Sequence, residues 1–243
     1  MDDERRVAAS YDLAQTLSGL AQSLQAASDT AGMLDGLVAA AATHIPGVDE
    51  ASISVVQARR LVVSEHPSSE LAALVDAVQV EVGEGPCLDA LHEERMAWVP
   101  DVAQETRWPQ FAGRAAEVGV GSVMAFQLAV EGEVLGTLNL YACRPHAFGE
   151  ESEQVGLLFA SHAAVAMAAA RDRDHLMESL ASRDLVGQAK GILMERYKIG
   201  SVEAFALLVR VSQHTNTKLR NVAAELARTG QFGQLPDETS QAS

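Results

Sequence analysis

Along the chain, runs in which apolar residues recur every three or four positions alternate with shorter runs in which they recur every two, and these two periods predict helices and strands. Val7, Leu13, Leu17, Leu20 and Leu24 make a helical stripe over residues 7–27, and Ser28-Asp29 interrupts it and can cap a second helix over 30–44. Residues 51–57 and 61–65 have strand character around a basic turn at Arg59-Arg60. A helix is predicted over 68–78, followed by the loop Val82-Gly83-Glu84-Gly85-Pro86-Cys87 and a short run over 88–93. A short strand fits 97–99 and a helix fits 109–118, while two longer strands, 122–130 and 133–141, form a hairpin around Glu131-Gly132. Strands mixed with helices and closing on an antiparallel hairpin predict an α+β sheet domain.

From 150 to about 177 the chain lacks proline and is rich in alanine. Val155, Leu158, His162, Val165, Ala169 and Leu176 stand near a/d heptad spacing, so one helix is expected to run almost continuously into Leu185, weakened where the pattern falters at Asp172. Three short helical stripes follow: Leu185, Val186, Ala189, Ile192 and Leu193; Ala204, Phe205, Leu207, Leu208 and Val211; Leu219, Val222, Ala223 and Leu226. Gly200-Ser201 separates the first two, Asn216-Thr217 the last two, and Gly230 ends the third. Helices this short are marginal singly, so they must share one small core. The polar tail reads as disordered. The expected organisation is a leading helix over 1–29, a sheet domain with a connecting helix over 30–170, a helical module over 171–232 and a tail over 233–243.

Charge adds a function to the module. The chain carries 18 basic against 33 acidic residues, a net charge of −15, yet all three lysines, Lys190, Lys198 and Lys218, lie within residues 183–228. That stretch holds eight basic and four acidic residues. An acidic protein that gathers its basic charge in one small helical module keeps that module for a polyanion. At about 100° per residue from Arg183, the first stripe falls between roughly 180° and 300°. Arg183, Gly187, Lys190, Gly191, Met194 and Lys198 occupy the other side. Each glycine there costs about 1 kcal/mol relative to alanine, which has a use if a nucleic-acid backbone or base approaches closely. The alternative is a solvated face with incidental glycines.

The string Arg183-Asp184-Leu185-Val186-Gly187-Gln188-Ala189-Lys190-Gly191-Ile192-Leu193-Met194-Glu195-Arg196-Tyr197, with Ala204-Phe205, Val211-Ser212-Gln213, Asn216, Lys218-Leu219-Arg220 and Val222-Ala223, closely resembles the ANTAR domain. The resemblance implies a three-helix RNA-binding module of a bacterial transcription antiterminator, which binds paired RNA hairpins with small loops in a nascent leader transcript and prevents an overlapping terminator from forming. It carries over Arg183, Gln188, Lys190, Met194, Lys218 and Arg220 as RNA contacts, and Ala189, Phe205, Leu208 and Ala223 as packing positions. Two other classes stay open. A basic three-helix bundle is also how helix-turn-helix proteins read DNA, with Thr215-Asn216-Thr217-Lys218 as the turn, and a basic face can serve an acidic protein partner.

Upstream, Gly83-Glu84-Gly85, Val99-Pro100-Asp101-Val102, Gly121-Ser122-Val123, Leu135-Gly136-Thr137-Leu138-Asn139-Leu140 and Phe148, in this order, resemble a GAF domain. That implies a central antiparallel sheet with helices on one face and a role in sensing a small molecule or a partner signal, whose identity does not follow. A GAF followed directly by an ANTAR domain resembles an actinobacterial arrangement of sensor and RNA-binding regulator. The two leucine-rich helices flanking the sensor, and the two hairpins per target, predict a homodimer.

Other chemistry is thin. Cys87, at a predicted helix start, is either a reactive or chromophore-anchoring thiol or a small buried residue. With Cys143 as the only other cysteine, neither a disulfide framework nor metal-ligand spacing exists. Tyr141 with Asn139, Phe126 with Met124, and Trp98 and Trp108 are candidate pocket walls, the alternative for each being core or ordinary surface. Seven histidines are scattered without metal spacing, so no cofactor can be named and no metal is expected. No phosphate loop, catalytic triad or phosphoacceptor pattern is present, so an enzyme is not expected. The start Met1-Asp2-Asp3-Glu4 is unlike a signal peptide, and no apolar run approaches the roughly 20 residues of a membrane span, so a cytoplasmic protein with no membrane contact is expected.

Overall fold

At Glu131 and Gly132 the chain reverses with positive φ at both positions, 52° and 86°, the geometry of a type I′ turn. It joins β4 (Ser122–Val130) to β5 (Glu133–Ala142) as the sequence predicts. The computed structural model describes residues 30–57, 60–92 and 95–231; the predicted leading helix with its leucine stripe and the predicted tail over 233–243 lie outside them. The described chain forms two compact units, meeting between Arg171 and Asp172.

The first unit holds α1 (Thr30–His44), β1 (Glu50–Gln57), β2 (Arg60–Pro67), α2 (Glu70–Val82), α3 (Pro86–His92), β3 (Met96–Val99), a 3-10 turn (Val102–Gln104), α4 (Pro109–Glu117), β4 and β5. It ends in the first part of α5 (Glu150–Tyr197). The strands form one antiparallel sheet in the order β2-β1-β5-β4-β3. Local signals set the ends of α2: the Ser69 hydroxyl accepts from the Ala72 N–H at 3.3 Å, and Gly83 closes the helix with φ 72°. Glu84 is structural too, its Oε1 accepting from the N–H groups of Gln110 (2.5 Å) and Phe111 (3.1 Å) at the start of α4.

Helices cover both faces of the sheet, whereas one covered face was expected. On the first face Ile53, Met124, Phe126, Leu138 and Leu140 pack with Leu34 and Leu37 of α1 and with Phe159, Ala163 and Met167 of α5. Here α5 approaches so closely that a Cβ at Gly156 would stand 2.5 Å from the Phe126 ring. On the second face Ala97, Val99, Val123, Ala125 and Tyr141 pack with Ala72 and Val75 of α2, Ala90 of α3 and Phe111 and Ala115 of α4. The physical sign of two covered faces is β5, in which every residue from Leu135 to Ala142 is buried.

An 18-residue window of α5 reaches a mean hydropathy of 1.2, enough by length and composition to cross a membrane, and 39% of that window is buried. The sequence reading missed it because its apolar character comes from closely spaced alanines. Ala160, Ala163, Ala164 and Ala170 are spent on the sheet core, as in a core helix of a globular domain.

In the second unit, the end of α5 packs with α6 (Ser201–His214) and α7 (Leu219–Thr229). Ala189, Leu193, Ala204, Leu208, Ala223 and Leu226 form the core, edged by Leu185, Val186, Ile192, Leu219 and Val222. The predicted stripes meet as expected except at Phe205, which is 42% exposed. It follows Ala204 by one residue, about 100° around α6, and so points away from the shared core. The first of the three helices is the last part of the 48-residue α5. The Glu203 carboxylate accepts from the Gly200 N–H at 2.7 Å and fixes the start of α6, and Gly230, with φ 68°, ends α7.

Candidate nucleic-acid interface and sensor site

Helix α5 displays Arg183, Gly187, Lys190, Met194 and Tyr197 along one line, at about 0°, 40°, 340°, 20° and 320° on a wheel centred on Arg183, beside the core stripe. Neither glycine is demanded by packing, since a Cβ at Gly187 or Gly191 would meet no other atom within 4 Å. Two helix-weakening residues therefore stand on the basic face of this helix with no use inside the protein.

The six predicted contacts do not all share this face. Arg183, Lys190 and Met194 do. Gln188 lines a shallow groove between α5 and α7 with Gly191, Ile192, Glu195, Arg196 and Ala227. Arg220 is ion-paired with Glu178 on α5, beside His175, Ser179 and Ser182. Lys218 occupies the N-cap position of α7 with no side-chain cap. A cation there opposes the helix dipole at a cost of about 0.3–1 kcal/mol, which a bound phosphate would reverse.

The remaining basic residues are largely compensated. Lys198 lies past the end of α5 with φ 55°, not on the helix face as predicted, and pairs with Glu195. Arg228 pairs with Glu225 at 2.8 Å, and Arg196 donates to the Gly230 carbonyl at 2.6 Å. Among the described residues Arg183, Lys190 and Lys218 make no ion pair, so they carry the field that an anion would meet.

In the sensor unit the sheet face turned to α2 and α3 carries a buried polar cluster. Because Ser52 pairs with Asn139 and Ser54 with Thr137 across the β1–β5 ladder, their side chains stand together on this face. Asp76 and Gln79 reach it from α2, Cys87 from the start of α3 and Tyr141 from β5, and all eight side chains are buried. The Asn139 amide nitrogen donates to Ser52 Oγ (3.2 Å), Ser54 Oγ (3.1 Å) and Asp76 Oδ1 (3.1 Å). The Tyr141 hydroxyl also donates to Asp76 Oδ1. The Cys87 N–H donates to Gln79 Oε1 at 2.8 Å, and its Sγ lies 3.0 Å from Thr137 Oγ1. Asn139 Oδ1 is buried without a hydrogen-bond partner, a cost of about 1–3 kcal/mol.

Burial, and then the nearby Asp76 carboxylate, push the Cys87 thiol up to about 12, and the same two causes hold the Tyr141 hydroxyl well above its ordinary range. The macrodipole at a short helix does not overcome this desolvation, so Cys87 is a protonated buried thiol and not an activated nucleophile. The predicted pocket walls are split by the sheet. Cys87 and Tyr141 belong to the polar cluster and Trp108 to the apolar core on the same side, with the Arg107 guanidinium 4.2 Å from the centre of its ring. Phe126 and Trp98 pack on the other face. Sequence reasoning missed Ser52, Ser54, Asp76, Gln79 and Thr137. The available signal was Asp76 and Gln79 at buried positions of an otherwise apolar helical stripe.

Comparison with known proteins fits both units. A model of the GAF domain matches residues 27–168 and a model of the ANTAR domain matches residues 174–226. The chain is similar to the GAF domain of a phosphoenolpyruvate-protein phosphotransferase from Coxiella burnetii, at 20% identity over 68% of this chain and 98% of that one, with TM-score 0.53. The corresponding Acinetobacter GAF domain gives 17%, 67%, 97% and 0.51. The photosensory core module of a Stigmatella aurantiaca phytochrome gives 12% identity over 87% of this chain and 45% of that one, with TM-score 0.55. Identities this low carry the fold alone. No curated protein matches the chain. With a sensor domain matched over more than half of the chain and a basic helical module matched behind it, the chain belongs to the GAF domain family and carries an ANTAR domain, the composition of a signal-sensing, RNA-binding regulator of transcription antitermination.

Proposed function

We propose that the protein binds paired hairpins in nascent leader RNA through its C-terminal module and thereby keeps a terminator from forming, without catalysing a reaction. The observation that carries this reading is the face of α5 on which Arg183 and Lys190 lack acidic partners and Gly187 and Gly191 open the backbone. Backbone-accessible notches between cations suit a nucleic acid whose phosphates and bases must come close. The helix-turn-helix alternative gains no support from α7. Its start offers Leu219, half-buried against the core, and Arg220, engaged by Glu178, where a recognition helix would present base-reading side chains.

The sensor unit sets when binding occurs, and the buried cluster around Asp76 and Asn139 is where a small polar signal would act. The protein works as a cytoplasmic homodimer, since two hairpins need two modules held together. Leu176, Met177 and Leu180 are all strongly exposed on α5 and suit a partner helix, while Val155, also placed in the heptad stripe, packs against the sensor core instead. Crosslinking the full chain to cellular RNA and sequencing what is recovered tests the reading. Paired hairpins upstream of terminators are expected; recovery of RNA without such hairpins would contradict it.

A further inference from the structure

Resting on the reading of the basic face as an RNA site, we infer that Tyr197 is its base-reading element, a platform on which an unpaired base of the RNA loop stacks while Lys190 holds the adjoining backbone. Tyr197 closes the line Arg183, Gly187, Lys190, Met194, Tyr197, in which steps of four and three alternate and keep every member on one side of the helix. Tyr197 is 50% exposed and takes no part in the module's core. At about 320° it stands next to the edge of the core stripe, and half of its surface is open.

The chemistry changes along the line. Arg183 and Lys190 give charge without sequence information; Met194, 37% exposed, and Tyr197 give an apolar surface about 6–10 Å farther along the axis from Lys190. Cations alone would suit any phosphate backbone. A half-exposed phenol ring beside them suits the flat face of a splayed-out base, the feature by which proteins distinguish single-stranded loops from paired stems. Paired RNA offers no such face in its stem, so the line as a whole selects a hairpin loop over a continuous duplex. Gly187 and Gly191, with no side chain in the way, let the loop backbone lie close enough for the base to reach the ring.

The test selects binders to the full-length protein from a pool of synthetic RNA hairpins that share one stem and carry randomised small loops. The winners are titrated against the parent, Tyr197→Phe and Tyr197→Ala, beside the same stem closed as a blunt duplex. Tyr197→Ala is expected to lose about ten-fold on the looped RNA and nothing on the duplex, and Tyr197→Phe to bind as the parent. An abasic substitution at one loop position should cost the parent the same factor and cost Tyr197→Ala nothing further. Hairpin binding unchanged in a folded Tyr197→Ala, or an equal loss on the duplex, overturns the stacking role while leaving RNA binding intact. A parent that selects no hairpin over duplex removes the RNA reading itself and this inference with it.

Discussion

Arg220, at the start of α7, is ion-paired with Glu178, five residues before Arg183 on α5. A cation carried over as an RNA contact is thus engaged by a carboxylate before RNA arrives, and binding through it exchanges one anion for another. Both side chains are substantially exposed, so the pair is worth only about 0–1 kcal/mol, and the larger effect of Glu178 is the negative charge it holds beside Arg220. Glu178→Gln should raise hairpin affinity by about two- to five-fold at low salt, with the gain shrinking as salt rises. Titration across a salt series checks this; an unchanged or lower affinity means that Arg220 does not face the RNA.

Lys190 has no acidic partner, and its helix face is open on both sides of it. Lys190→Ala should leave the fold intact, weaken hairpin binding by at least ~1 kcal/mol and reduce the slope of log affinity against log salt by about one. Binding isotherms of a variant with unchanged circular dichroism give both numbers.

Ala189, its neighbour in sequence, should behave in the opposite way. It is fully buried in the module core with Leu193, Leu208 and Ala223. Ala189→Asp places an unpaired carboxylate there at a cost of roughly 3 kcal/mol or more, so loss of RNA binding should be accompanied by loss of helical signal. An Ala189→Asp variant with a full helical signal would contradict the packing described for this core.

Cys87 links the sensor cluster to pH. Its folded value, about 12, lies above the ordinary 9.0, so its contribution to stability is complete below about pH 9 and is lost as pH rises from 9 toward 12, roughly 1 kcal/mol by about pH 10. Tyr141 acts in the same direction, its raised folded value making ionisation at high pH unfavourable to the native state. Thermal unfolding should therefore shift down between about pH 8 and pH 10, and Cys87→Ala should flatten the shift. Thiol titration gives an independent reading: exposed Cys143 should label in the native protein and Cys87 only after denaturation.

These features were legible in the sequence to different degrees. The Glu131-Gly132 hairpin and the three stripes of the module were readable because turn chemistry and helical period are local properties, and each stripe reports its own buried face. Phe205 was misplaced because both the apolar stripe and the resemblance assigned it to packing, while its position about 100° around the helix from Ala204 points outward. The sensor cluster was hidden for a different reason. Ser52, Asp76 and Asn139 lie far apart in sequence and are ordinary polar residues until β1, α2 and β5 bring them together. The second covered face of the sheet follows from the unbroken burial of β5, which a short apolar run does not distinguish from a strand with one wet side.

The most direct test of the central claim is competition between a paired-hairpin RNA and a duplex DNA of equal phosphate number for the full-length protein at one fixed salt concentration. Electrostatics alone gives both some affinity, so only the ratio is informative. The account predicts that the RNA is preferred by at least about ten-fold and that Lys190→Ala lowers that affinity; equal or tighter binding of the duplex DNA would contradict it.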